Sequence, residues 1–426
     1  MEYNGDDDMS VFSEEDKIKI LADIVEINTE NDNELEVCNY FKALLNKYDI
    51  DSKIIKVDNR RANLVAEIGE GKPKIAISGH MDVVDAGDYN EWKYDPFKLT
   101  EEDDKLYGRG TTDMKGGLAA LIIAMIEIKE SGRLQKGTIR LMATAAEEKE
   151  MSGAQLFKEQ GYVNDLDGMI IAEPSDGFAF YATKGSMGLK VTSKGIPAHS
   201  SLPSLGHNAI NSLIAFIQRI KEKYVEIKKN EKEHSLDVHP YIDECIREQG
   251  HYNDGDLKED VAAGLVIVNS IIRGGEQFNT VPESAYAEFN IRTVPESAYA
   301  EFNIRTVPEY DNVAIEKLFK DTVKEIDSER LSVEVSVNHP TVYTHKDNRL
   351  INTFLEYNHD FKVSGMVGAT DAAELLGDKD EDFDLAIIGP GHITLAHQTD
   401  EYVYKSRYLD YIDMYQQVIL NYLNQH

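Results

Sequence analysis

Apolar and polar positions along the chain follow two different periods, which predict helices and strands in turn. In SEEDKIKILADIVEI, apolar residues at helical spacing follow Ser13 and two acids, a pattern typical of an N-capped helix. The short apolar runs ANLVAEI, KIAIS, GTIRLMATA and DGMIIAEP predict buried strands. Between them, MKGGLAALIIAMIEIKESG is apolar on nearly every side and predicts a buried helix ending at Gly132. Strands alternating with helices predict an α/β domain with a mostly parallel sheet and helices on both faces.

This pattern changes near Lys184. The segments SMGLKVTSKG, GLVIVNSIIRGG, YAEFNIRT and LSVEVSV predict strands, and two long amphipathic segments between them predict helices. After His339, the buried run DLAIIGPG and a closing amphipathic helix return to the first pattern. We therefore expect a smaller α+β domain over 184–338, inserted between two parts of the α/β domain, 1–183 and 339–426.

Composition and charge narrow the range of functions. The 426 residues are 42% hydrophobic and 9% aromatic, which is typical of globular proteins. The net charge of −32 repels phosphate backbones and anionic lipids, so neither nucleic acid nor a membrane is an expected partner. Two cysteines, Cys38 and Cys245, exclude a disulfide framework and a cysteine-based zinc site. Without a signal pattern we expect a cytoplasmic protein, with Met1 and Met9 both candidate starts.

Acids and histidines follow the predicted strands, at the edge where open α/β sheets bind ligands. Each has an ordinary explanation on its own: a polar strand end, a helix N-cap or a charged helix start. Together their nitrogen and oxygen donors suit Zn²⁺, Co²⁺ or Mn²⁺. A carboxylate bridging two ions about 3.5–4 Å apart would suit hydrolysis. These residues are His80, Asp82, Asp113, Glu147, Glu148, Glu173 and His397.

The order of these motifs resembles the M20 metallopeptidase family. SGHMDVV, LYGRGTTDMKGG, ATAAEEKE, IIAEP, AHSS and LAHQTDEY span nearly the whole chain. Within the family they are most similar to the branch of succinyl-diaminopimelate desuccinylases and acetylornithine deacetylases. This resemblance implies a metal-dependent hydrolase of a small N-acyl amino acid, first of all N-succinyl-LL-diaminopimelate. N-acetylornithine, other N-acyl amino acids and dipeptides are the alternatives. The contrasting hypothesis is a non-catalytic member that binds metal with an impaired lid.

The resemblance also implies a ligand set for two divalent ions, with Zn²⁺ expected and Co²⁺ or Mn²⁺ as alternatives. One ion would be held by His80, Asp113 and Glu173. The other would be held by Asp113, Glu148 and His397, so that Asp113 bridges the pair.

Further roles follow from the same resemblance. Glu147 would be the general base, and Asp82 would orient the ring of His80. The inserted domain would be a lid that also forms a homodimer, with His199 supporting the oxyanion in the partner subunit; alone, His199 is equally a capped loop histidine. The implied substrate-binding residues are Asn279, Arg292, Arg305, Lys184 and Thr370.

One feature departs from the family pattern. The 13 residues 281–293 recur letter for letter as 294–306. Such perfect identity indicates a recent or artificial duplication without function, and either copy can supply the single strand that a lid needs. We expect the metal site to form regardless, because none of its predicted ligands lies in the repeat.

Overall fold

The chain folds into two units, and the first is built from segments on both sides of the second. The computed structural model describes residues 10–230, 236–242, 264–273, 280–281, 284–285 and 298–425. The first unit comprises Met1–Ala182, Thr344–Ser364 and Thr370–His426. The second comprises Thr183–Tyr343 and Gly365–Ala369.

The helices and strands of the described residues are numbered here in chain order. The helices are α1 Glu14–Glu26, α2 Glu34–Asn46, α3 Lys115–Glu130, α4 Ser152–Glu159, α5 Ala209–Asn230, α6 Asn312–Asp327, α7 Arg349–Tyr357, α8 Ala372–Leu376 and α9 Lys405–Asn424. The strands are β1 Ser52–Lys56, β2 Ala62–Glu70, β3 Lys74–His80, β4 Thr100–Glu102, β5 Lys105–Tyr107, β6 Gly137–Thr144, β7 Gly168–Ile171, β8 Phe178–Thr183, β9 Gly185–Lys194, β10 Ala198–His199, β11 Val266–Arg273, β12 Thr280–Val281, β13 Ser284–Ala285, β14 Ala298–Thr306, β15 Leu331–His339, β16 Val342–Tyr343, β17 Lys362–Met366, β18 Asp384–Ile387 and β19 Tyr402–Tyr404.

Two helices of the first unit show how the local sequence sets their ends and their burial. The Ser13 hydroxyl accepts from the backbone N–H of Asp16, whose carboxylate accepts from the backbone N–H of Ser13, each at 3.1 Å. This capping box confirms the predicted N-cap of α1. Every residue of α3 from Lys115 to Ile128 is buried, as its all-round apolar sequence predicts. Gly132, with φ +63°, follows the helix in the left-handed conformation.

The central sheet confirms the α/β class, with parallel strands in its middle and antiparallel strands beside them. In the first unit the strands run in the order β1-β2-β6-β3-β7-β18-β8. β3 is parallel to both β6 and β7, and β18 is parallel to β7. β1, β2 and β8 pair antiparallel with their neighbours. The carboxyl ends of four adjacent strands therefore share one edge, where His80 lies opposite Thr144.

The second unit is a sheet with helices packed on one hydrophobic core. β9 lies between β14 and β15, and β11 pairs with the other side of β14. Burial alternates along β9, as expected for a strand with one face on a core. The rings of Phe216, Phe302 and Phe319, from α5, β14 and α6, pack with centroids 4.8–6.2 Å apart.

The second copy of the repeat forms a nine-residue strand of this sheet. β14 consists of its residues Ala298–Thr306, which pair with β9 along their whole length. The first copy contributes β13, where Ala285 lies opposite Ser193. Ala298, the equivalent residue of the second copy, also lies opposite Ser193. Equivalent residues of the two copies therefore meet the same position of β9.

No helix in the described part of the chain combines the length and the apolar character that a membrane span requires.

Candidate metal centre

His80 stands at the carboxyl end of β3 and is almost fully buried. Its Nδ1 lies 2.9 Å from the backbone carbonyl oxygen of Asp82 and 3.6 Å from the Asp82 carboxylate. A carbonyl only accepts, so Nδ1 carries the proton and donates to it. The Nε2 atom then faces Asp113 Oδ1 at 3.1 Å and is the nitrogen that can bind a metal ion.

Asp113 occupies the turn before α3 and contacts histidines through both carboxylate oxygens. The helix N-cap is Met114, so the carboxylate is not a helix cap. Its Oδ1 lies 3.1 Å from Nε2 of His80, and its Oδ2 lies 3.3 Å from Nε2 of His397. Burial raises the pKa of Asp113, but hydrogen bonds from His397 and His80 outweigh it and hold this pKa below its ordinary value.

Glu147 and Glu148 lie in a turn after β6, well before α4 begins at Ser152. The carboxylate of Asp82 accepts from their backbone N–H groups, at 3.1 Å from Glu147 and 3.0 Å from Glu148. The side chain of Glu148 reaches His397, whose Nε2 lies 3.1 Å from Oε1. Asp82 thus contacts His80 through its backbone and holds the glutamate turn through its side chain.

The electrostatics of this cluster are those of a site built for cations. Burial raises the pKa of Glu147, of Glu148 and of Glu173, and neighbouring carboxylates raise each pKa further. Burial lowers the pKa of His80, but the hydrogen bond with Asp113 and the charges of nearby carboxylates together raise it well above its ordinary value. Hydrogen bonds with Asp113 and Glu148 raise the pKa of His397 to about 10. A divalent ion would add positive charge to that of His80 and His397 among these buried carboxylates.

The donor set also fits a metal ion by distance and by chemistry. His80, Asp113 and Glu148 each offer one ligand atom within 4.8 Å of the others. Glu173 follows β7, is 4% exposed, and acts on the pKa of His80 through its charge. Imidazole nitrogens and carboxylate oxygens are ligands that Zn²⁺, Co²⁺ and Mn²⁺ accept.

The predicted substrate-binding residues are found in different environments. Lys184 is 1% exposed and donates to the carbonyl of Gly264 at 2.7 Å. Thr370 is buried and accepts from the backbone N–H of Ala372 at 3.2 Å. Arg305 lies half-buried on β14, where burial lowers its pKa. Asn279 and Arg292 lie outside the described residues.

His199 is exposed on β10 of the second unit. Its Nδ1 accepts from the backbone N–H of Ser201 at 3.2 Å and lies 2.7 Å from the Ser201 hydroxyl. Since that nitrogen is an acceptor, the proton of the neutral ring is on Nε2, which can donate. This contact is typical of a loop histidine and leaves Nε2 as a hydrogen-bond donor.

Three buried residues beside the cluster were not singled out from the sequence. Asp371 accepts from the Thr144 hydroxyl at 2.5 Å, and burial raises its pKa to about 7. Glu401 and Arg109 form a buried ion pair at 2.6 Å. The sequence carries a signal for two of the three: Asp371 follows Thr370, and Glu401 is an acid four residues after His397.

Comparison with known proteins gives the family. Residues 76–421 match the model of "Peptidase family M20/M25/M40". A Staphylococcus aureus (strain MRSA252) protein named "Probable succinyl-diaminopimelate desuccinylase" is 51% identical over 98% of this chain and 100% of its own length. An "Acetylornithine deacetylase" from Buchnera aphidicola subsp. Schizaphis graminum is 29% identical over 86% of this chain and 84% of its own. The crystal structure of an M20 family metallo-carboxypeptidase from Sulfolobus solfataricus has a TM-score of 0.72 and 18% identity, covering 96% of this chain and 99% of that one. The chain therefore belongs to the M20/M25/M40 peptidase family and is a metal-dependent hydrolase that acts on amide bonds.

Proposed function

We propose that the protein uses two metal ions to remove the succinyl group from N-succinyl-LL-diaminopimelate, giving succinate and LL-diaminopimelate. The observation that carries the two-ion proposal is the placement of Asp113 between two histidines. Its Oδ1 faces His80 and its Oδ2 faces His397, at 3.1 and 3.3 Å. The choice of substrate is supported by 51% identity to a relative named for that activity, against 29% to the one named for acetylornithine.

The proposed ligands divide into two sets that share Asp113. His80 and Glu173 complete one set, and Glu148 and His397 complete the other. When bound, two divalent ions would polarise the amide carbonyl and lower the pKa of water. Zn²⁺ is the expected metal, with Co²⁺ or Mn²⁺ as alternatives that the same donors accept.

Glu147 is the proposed general base. Its backbone is held by Asp82 at 3.1 Å, while burial raises the pKa of its carboxyl group well above its ordinary value, so that the carboxylate has a stronger tendency to take up a proton. Glu147 takes a proton from the attacking water and passes it to the nitrogen that leaves as the amine. The C–N bond of the amide breaks and the acyl carbon becomes the carboxylate of succinate. This role requires Glu147 to remain free of the metal ions.

The second unit is proposed to be the lid, over the predicted range 184–338. His199 can donate from Nε2 to the oxyanion in the site of a partner subunit, where charge develops in the transition state. Arg305 is proposed to pair with a substrate carboxylate, as guanidinium groups do. Asn279, Arg292, Lys184 and Thr370 remain proposed contacts from the family resemblance, although the side chain of Lys184 is buried.

A homodimer through the second unit is supported by exposed apolar side chains. Among the described strands of its sheet, β11 is at the end of the order, and its Val268 and Ile272 are 50% and 53% exposed. Near His199, Leu202 and Leu205 are 54% and 71% exposed. An edge strand with apolar side chains is a natural pairing surface. In analytical sedimentation, the original chain should therefore behave as a dimer and Ile272→Lys as a monomer. The cytoplasm is the proposed location.

The test is hydrolysis of N-succinyl-LL-diaminopimelate with Zn²⁺ or Co²⁺, by this chain and by a variant lacking residues 281–293. Turnover by both proteins supports the proposed substrate and means that the duplication does not prevent activity. Turnover by the deletion alone means that the duplication disables a desuccinylase. If neither acts while both bind metal, the proposed substrate is wrong. N-acetylornithine, other N-acyl amino acids and dipeptides would then be tested, and inactivity on all of them would favour the non-catalytic hypothesis.

A further inference from the structure

The carboxylate of Glu401 is fully buried and accepts four hydrogen bonds. Its Oε1 accepts from the backbone N–H groups of Gly110, Thr112 and Asp113, at 3.0, 2.8 and 3.0 Å. Its Oε2 accepts from Nη1 of Arg109 at 2.6 Å. Gly110 has φ +88°, a conformation that favours glycine and turns these N–H groups toward one point. One carboxylate therefore fixes the conformation of the turn that presents Asp113.

Arg109 makes a second contact with the loop that carries Glu401 and also reaches one further loop. Its Nη1 also donates to the carbonyl of Gln398 at 3.1 Å, and its Nη2 donates to the carbonyl of Asp85 at 3.4 Å. The guanidinium lies 5.0 Å from the ring centroid of Trp92. Arg109 is 2% exposed, so its charge depends on Glu401 for compensation.

The position of Glu401 in the chain links this network to the metal centre. Glu401 follows His397 by four residues on the same loop, and its side chain holds the backbone of Asp113. His397 and Asp113 are the two residues whose side chains meet at 3.3 Å. Glu401 therefore joins the loop that carries His397 to the backbone of Asp113.

We propose that Glu401 is a positioning residue that sets the spacing between Asp113 and His397, and so the affinity of the second metal ion. This inference rests on the proposed two-ion function. Metal ligands depend on such supporting contacts, whose loss typically lowers metal affinity about 10–100-fold. The first ion should be affected less, because His80 and Glu173 lie on other strand ends.

Glu401→Gln tests the proposal with almost no change in shape. The amide oxygen can still accept from the turn, but the amide nitrogen presents hydrogens to Arg109. The buried guanidinium then loses its carboxylate acceptor, and the loop carrying His397 must shift to compensate the charge of Arg109. The matched control is Asp384→Asn. Asp384 is also buried and accepts from Arg349 and from the Tyr422 hydroxyl, both at 2.8 Å, at the amino end of β18.

The measurement is titration of the metal-free full-length proteins with Co²⁺, followed by calorimetry and by the visible spectrum of the bound ion. The original chain and Asp384→Asn should bind two ions with the same pair of affinities. Glu401→Gln should bind the first ion within about threefold of the original affinity and the second about 10–100-fold more weakly, with an altered spectrum.

Two results would overturn the proposal. One is a folded Glu401→Gln protein that binds both ions with the original affinities and spectrum, because Glu401 would then serve stability alone. If Glu401→Gln does not fold, Glu401→Asp is measured in its place, because its shorter carboxylate cannot reach both Arg109 and the turn. The other overturning result would be a Glu401→Asp protein whose affinity for the second metal ion is unchanged. Fewer than two ions bound by the original chain would instead contradict the two-ion function.

Discussion

Removing one copy of the duplicated segment should stabilise the second unit. Because the copies are identical, deleting 286–298 gives the same sequence as deleting 281–293. The deletion joins Ala285 to Tyr299, and these two lie opposite neighbouring residues of β9. The deletion therefore keeps the register with β9 across the junction, with Ala285 in the place of Ala298 opposite Ser193.

The magnitude follows from the length of the chain segment that is removed. The 12 residues 286–297 connect two positions, Ala285 and Ala298, that both lie opposite Ser193. Closing a loop of that length costs about 2 kcal/mol from (3/2)RT ln n. We expect the deletion to return that amount. For a unit of this size it corresponds to a rise of roughly 4–8 °C in the unfolding midpoint.

Thermal unfolding of both metal-free proteins, followed by circular dichroism and calorimetry, checks this value. A control replaces 286–297 with twelve residues of glycine and serine; its midpoint should match the original chain, because length and not content sets the cost. Co²⁺ stoichiometry should be equal in all three proteins, since the proposed ligands lie in the first unit. A lower midpoint for the deletion would refute the reasoning and mean that the first copy stabilises the fold.

Three further predictions concern single side chains. Glu147→Gln should lower the turnover of the hydrolysed substrate about 10²–10⁴-fold, while calorimetry finds its metal affinities unchanged. Phe302→Ala, in the core of the second unit, should cost about 3–5 kcal/mol in denaturant unfolding, whereas Phe289→Ala at the same position of the first copy should cost little. Burial, with the charge of Asp82, raises the pKa of Glu34 from 4.5 to about 7. The stability from its protonated form is complete below pH 4.5 and is lost as pH rises through about 7. Between pH 5 and pH 8, the free energy of unfolding of Glu34→Gln should therefore rise relative to that of the original chain by up to about 3 kcal/mol. Thermal melts of both proteins at the two pH values measure this change.

Each of these has a result that contradicts it. Weaker metal binding by Glu147→Gln would make that glutamate a ligand instead of a base. Equal losses for Phe302→Ala and Phe289→Ala would mean that the two copies share the strand. A stability difference between Glu34→Gln and the original chain that stays constant with pH would show that Glu34 is ionised throughout.

The sequence predicted the helices and strands of the first unit well because their patterns are local. Ser13 and Asp16 are three residues apart, and the apolar face of α3 needs no distant information. The positions of the candidate ligands were equally accessible, since each follows an apolar run whose end is visible in the sequence. His80 and Glu173 illustrate this at the ends of β3 and β7.

The supporting contacts could not be predicted, because they join a side chain to the backbone of a distant segment. Glu401 accepts from backbone groups 288–291 residues away, and a backbone N–H has no sequence signature. The carboxylate of Asp82 likewise holds a turn 65–66 residues away. The residues of two identical copies also cannot show which copy forms the strand paired with β9. The flanking segments determine this, since the second copy leads directly into α6.

The place of β18 in the sheet has a consequence for synthesis on the ribosome. β18 lies between β7 and β8, but it is made about 200 residues after β8. At about 5–20 residues per second, the growing chain waits roughly 10–40 s with the facing edges of β7 and β8 unpaired. Unpaired strand edges can pair with strands of other chains. This protein is therefore most prone to aggregation during synthesis, when several nascent chains lie close together on one polysome. Because His397 arrives later still, a nascent chain cannot assemble its second set of ligands until translation is almost finished.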